Sequence, residues 1–183
     1  MHEAPDRTLT WTAPLLCAMC VVLAIAYGVG EPGVRVLIRA TARTSVLLLC
    51  LALASWMVRG LAMRRAGLIR SLAVSHGLHL VAVIWLAALT GAANLRERAE
   101  AVTAIGGLLA YVVIAWGAFR PRHPAVGWGL LWVAVSFLGA YVPRAARHPW
   151  MYGPIVALLL VCVVLRIAGP FVGPERAKED LAA

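Results

Sequence analysis

Carboxylates are what this sequence most lacks. Only eight Asp and Glu residues occur among 183, and none lies in the middle of a long apolar run. Proton-coupled carriers place a carboxylate at depth in the membrane, so that class is disfavoured. Hydrolysis by paired carboxylates is disfavoured on the same ground. Charge of either sign is thin, at 14% of residues, against about a quarter in an average soluble domain. Cysteine is scarce too, with Cys17, Cys20, Cys50 and Cys162 alone. Cys17 and Cys20 have the CxxC spacing. They fall inside an apolar run, away from the exposed helix N-terminus or basic neighbour that stabilises a thiolate. Four scattered cysteines make no zinc site. No Ser–His, Asp–Asp or HExxH arrangement suited to intramembrane proteolysis is present, and no internal repeat or pair of interrupted helices marks a transporter of inverted halves.

What is present is apolar length. Hydrophobic residues make up 62% of the chain and mean hydropathy is +0.85. Backbone groups cannot stay unpaired in hydrocarbon, so only helices or a closed barrel can span it. The runs lack the alternation of a barrel strand. The sequence therefore predicts an all-α, polytopic membrane helix bundle with about six transmembrane helices. Six runs approach the roughly 20 residues needed to cross a ~30 Å core: Trp11–Gly30, Thr44–Val58, Leu68–Leu89, Val102–Phe119, Val126–Val142 and Met151–Ile167. The expected organisation is an N-terminal segment (1–10), one transmembrane domain (11–168) and a C-terminal tail (169–183). No stretch outside the spans suffices for a nucleotide- or flavin-binding domain. Gly28, Gly30, Pro32 and Gly33 are expected to stop the first span, and Trp128 and Trp132 lie deep enough to face the bundle or a ligand.

The net charge of +9 does not point to nucleic acid, because the basic residues sit between apolar runs, as topology determinants do. Placing the dense cluster Arg59, Arg64, Arg65 and Arg70 in the cytoplasm puts ten of the 17 Lys and Arg inside and makes both termini cytoplasmic. Arg35, Arg39 and Arg43 then fall outside, between the first two spans. Glu3 and Asp6 against Arg7 do not make the positive leader of a secretory signal, so the first span is expected to stay in place. The expected location is the cell membrane, multi-pass, in a bacterial inner membrane.

Two histidines are the clearest candidates for chemistry. His76 and His79 lie three residues apart in SLAVSHGLHLVAV, on one helix face. An ionisable group within a span points to function by default, and neutral imidazole is a common haem ligand. The competing reading is an interhelical hydrogen bond to a carbonyl or serine. A second axial ligand would come from another helix, and His123, at the entrance to the fifth span, is the available one. Its expected depth differs from that of His79 by about 9–13 Å at 1.5 Å per residue.

The segments RATARTSVLLLCLALASW and RRAGLIRSLAVSHGLHLVAVIWL resemble the six-helix ferric reductase-like transmembrane domain of NADPH oxidases, metalloreductases and the membrane subunit of the bacterial methionine sulfoxide reductase system. The likeness continues through IGGLLAYVVIAW, GWGLLWVAVSFLGAYV and YGPIVALLLVCVVLR. It implies haem b held between the third and fifth spans, with His79 or His76 on one side and His123 on the other. It also implies that Arg39 and Arg43 pair with haem propionates or a quinone headgroup, although both equally suit interfacial topology charges. Where many members carry a further histidine, this chain has Ser136. The function so implied is that of a membrane electron-transfer subunit, taking electrons from a quinol, a flavin or a partner redox protein. The alternative is a haem-free structural or assembly subunit that kept the fold.

Overall fold

A computed structural model of the chain describes residues 8–91 and 101–172. Among these residues there are helices and no strands: α1 (Thr8–Tyr27), α2 (Glu31–Ala54), α3 (Arg59–Ala62), α4 (Arg65–Thr90), α5 (Ala101–Phe119), α6 (Pro124–Arg147) and α7 (Pro149–Val172). Five helices are long and apolar enough to cross a membrane: α1, α2, α4, α6 and the Pro149–Ala168 portion of α7. In α5 the stretch Gly106–Phe119 is a shorter apolar helix. The architecture is compatible with a helical membrane bundle. The expected segments 1–10 and 169–183 fall largely outside the described residues.

The second helix departs most from expectation. It begins at Glu31, not Thr44, and so carries Arg35, Arg39 and Arg43 on its first turns. Gly28, at φ +77, and extended Gly30 complete the chain reversal within three residues. Glu31 and Pro32 then open α2. Proline suits a first helical turn because its missing N–H would have had no partner there, and a carboxylate is stabilised by the positive end of the helix dipole. Glu31 also accepts from Arg35 at 2.6 Å. Charges that looked like a wet loop are tolerated on a helix because the three arginines recur every fourth residue along one face. Long stems let their heads reach the interface. At 1.5 Å per residue α2 is about 36 Å long, so its first turns extend past a ~30 Å apolar layer.

α2 is also the hub. It packs against α1, α4, α6 and α7, while α4–α5 and α5–α6 contacts close the far side. α1 lies outermost, in the groove of α2 and α4, with Leu16 as its one buried residue. The core gathers Leu49 and Leu53 of α2, Ile69 and Leu72 of α4, Ile114 of α5, Leu130 of α6 and Leu159 of α7. Small residues set the close approaches. A Cβ on Gly129 would stand 2.8 Å from Val113 Cγ1, and one on Gly117 would stand 3.2 Å from Val126 Cγ1. Gly106 faces open space instead. Outward faces are apolar (Ile25, Leu47, Ile84, Val112, Val164), whereas Thr41, Ser45, Ser71, Ser75 and His76 are buried. That inside-out distribution is what a lipid-facing bundle requires, since tails need no polar partner and buried hydroxyls find one in a neighbouring helix. Trp128 and Trp132 face outward, at 61% and 40% exposure, and do not line the bundle interior.

Candidate functional site

A polar seam runs between α2 and α4 and contains both span histidines. On α2, Thr41 and Ser45 are one turn apart. On α4, Ser71, Ser75 and His79 recur at the same spacing, so each set forms a stripe facing the other helix. Ser45 Oγ and Ser75 Oγ are hydrogen-bonded at 3.0 Å, and Ser75 also donates to the Thr41 carbonyl at 3.4 Å. Ser71 donates to the Gly67 carbonyl at 2.7 Å and meets Thr12 of α1. Hydroxyls in a helix can return their proton to the carbonyl one turn back, which lets these residues lie in an apolar bundle without an orphaned donor.

Thr41 is the hydroxyl that meets His79. Its Oγ1 donates to the Leu37 carbonyl at 2.9 Å and lies 3.1 Å from His79 Nδ1. With the threonine proton on Leu37, the imidazole must donate. That pairing is met by the Nδ1–H tautomer of His79, which carries its lone pair on Nε2.

His76 is in a different position. It is 5% exposed, and neither ring nitrogen has a hydrogen-bond partner. Its ring is stacked on Tyr111 of α5 at 4.1 Å and on His79 at 5.8 Å, with Phe137 of α6 at 5.6 Å. An unmet buried polar group costs about 1–3 kcal/mol. His76→Phe, which keeps the ring stack and removes the two nitrogens, is therefore expected to leave thermal stability in detergent unchanged or raise it by about 1 kcal/mol. A fall of several degrees in the unfolding midpoint would show that the imidazole has a polar partner in the folded protein.

The other residues singled out in the sequence are not brought to this seam. His123 is the N-cap of α6: its Nδ1 accepts from the Ala125 N–H at 3.3 Å, and its ring packs edge-on against Trp116 at 5.2 Å. The α6 residue that meets His76 is Phe137, which lies about 21 Å further along that helix at 1.5 Å per residue. Ser136 returns its hydroxyl to the Trp132 carbonyl at 3.1 Å. Arg39 and Arg43 are exposed. Each lies two positions from Thr41, about 200° around the helix, so they leave the side of α2 opposite the one that meets His79. Cys17 and Cys20 lie on the outer helix α1, and all four cysteines are free.

Axial haem ligands must approach the iron from opposite faces, and no pair among these histidines does so. His76 and His79 project from one helix with rings nearly parallel, at 14°, and His123 is at another level. A bis-histidine haem does not fit this arrangement. What sequence reading missed is the hydroxyl stripe. Its signal was polar residues spaced by four within apolar runs, at Thr41 and Ser45 and again at Ser71 and Ser75. Comparisons with protein-family models, with curated proteins and with solved structures give no match for this chain.

Proposed function

We propose that this chain is a haem-free structural or assembly subunit of a membrane complex, built on a six-span bundle of ferric reductase-like architecture. One observation carries the reading: the histidines within the spans are packed side by side on α4, and no ligand faces them from α6. In this reading α5, 19 residues long, is the sixth span, since it reaches about 28 Å. An even number of spans returns both termini to one side. In this reading that side, which carries the basic Arg59–Arg70 segment, is the cytoplasm, and the membrane is a bacterial inner membrane. The apolar outward stretches of these helices can accept a further membrane helix without rearrangement.

The reading is tested by purifying the tagged chain in a mild detergent and identifying what accompanies it. A membrane protein of defined sequence is expected in near-stoichiometric amount. Recovery of the chain alone, at the mass of one copy plus micelle, would contradict an assembly role.

A second reading keeps a cofactor, and it too has a specific support. The unpartnered ring of His76 and a His79 whose Nδ1 is held by Thr41 are arrangements an iron ligand presents, since a ligating imidazole usually has its second nitrogen hydrogen-bonded. A haem b here would supply one-electron carriage between a quinol, flavin or redox partner and an acceptor. The chain would contribute a single axial imidazole and a low-dielectric seam around it.

A further inference from the structure

A second polar cluster lies away from the histidines, where the end of α2 meets the start of α4, the start of α6 and the last turns of α7. Arg65 Nη2 donates to the Ser55 carbonyl at 2.8 Å, and Nε donates to Ser55 Oγ at 3.2 Å. Its guanidinium carbon stands 4.4 Å from the centre of the Trp56 ring. That of Arg166 stands 5.4 Å from the same ring and 5.6 Å from Trp128. Two guanidinium groups thus share one indole and lie close enough for their charges to act on each other. Arg166 Nε is buried without a hydrogen-bond partner. Gly127 makes room for the pair, because a Cβ there would stand 2.8 Å from Arg166 Nη2 and 3.2 Å from the Trp56 ring.

Among the described residues no carboxylate answers this pair. Glu31 is the one carboxylate among the described residues. It is paired with Arg35 at the other end of α2, about 36 Å away along the helix. Like charges brought together in a partly desolvated place disfavour the charged state of both, and arginine does not relieve this by losing its proton. An anion does. Guanidinium forks match the oxygens of phosphate, and indoles at a helix end mark the level of lipid headgroups.

We propose that Arg65 and Arg166, set between Trp56 and Trp128, form a binding site for the phosphate of a lipid headgroup. Cation–π contact with the two indoles holds the forks in place while the donors not used on Ser55 address the oxyanion.

The test uses the full chain in detergent, stripped of lipid and titrated separately with short-chain phosphatidylglycerol, short-chain phosphatidylcholine and inorganic phosphate. Bound molecules are counted by native mass spectrometry. One saturable phosphatidylglycerol is expected. Arg166→Gln should weaken it about tenfold, the loss of one charge-assisted contact, while Arg39→Gln should leave it unchanged. Equal retention by wild type and Arg166→Gln, or equal loss in Arg39→Gln, would overturn the site. Saturation by inorganic phosphate with no lipid retained would overturn the headgroup as occupant. If Arg166→Gln does not fold, Arg166→Lys takes its place. It keeps the charge without the fork and should lower retention several-fold, and retention equal to wild type would overturn the assignment.

Discussion

Gly33→Ala is expected to destabilise the bundle by more than about 3 kcal/mol, at the upper end for a single methyl group. The added carbon would fall on the Gly28 carbonyl oxygen and stand 2.7 Å from that of Tyr27. Both are backbone atoms of the same short reversal, so no side chain can rotate away. Relief requires α1 to move away from α2, which would disturb its seat in the groove of α2 and α4 and its Thr12–Ser71 hydrogen bond. Gly28→Ala should cost less, about 1–2 kcal/mol, for placing a side chain at positive φ. Gly77→Ala is the control: it meets open space within α4, and the helix preference for alanine should stabilise it by up to about 1 kcal/mol. Unfolding in detergent followed by circular dichroism distinguishes the three. A parental midpoint for Gly33→Ala would mean that the α1–α2 reversal is wrong.

The second large effect separates inside from outside on one helix. Leu49 of α2 has 0% exposure and Leu51, two residues on, has 43%. Truncating Leu49 to alanine leaves a cavity in the core cluster, and about 2–5 kcal/mol should be lost. Burial against lipid carries no hydrophobic drive, but the packing lost to a cavity is the same in a membrane. Leu51→Ala should change stability by no more than about 0.5 kcal/mol. Equal losses at both sites would show that α2 is surrounded by protein on every side and is not the hub of a bundle facing lipid.

The bundle class was legible because its cause is compositional. Six apolar runs with almost no acid leave helices as the only way to satisfy the backbone. The start of α2 was not legible, because Arg35, Arg39 and Arg43 give the same local hydropathy on a helix as in a loop. Glycine and proline at 28–33 mark both the end of one helix and the start of the next, and only the path of the chain tells which. At the site, the shared face of His76 and His79 followed from their spacing. What surrounds them did not. Thr41, Tyr111 and Phe137 arrive from three other helices, and sequence separation hides that meeting. Arg65 and Arg166, a hundred residues apart, share Trp56 for the same reason. The capping role of His123 was half visible in its place before Pro124, where an N-cap residue belongs.

The most direct test of the account is a dithionite-reduced minus oxidised spectrum of the purified chain, with haem extracted and counted, after expression with haem precursor supplied. The packing of His76 between Tyr111 and His79, with no ligand opposite, predicts no Soret difference and no haem above background. A b-type spectrum at one haem per chain, lost in His79→Leu or His76→Leu and kept in His123→Leu, would contradict the haem-free reading and establish the single-imidazole alternative.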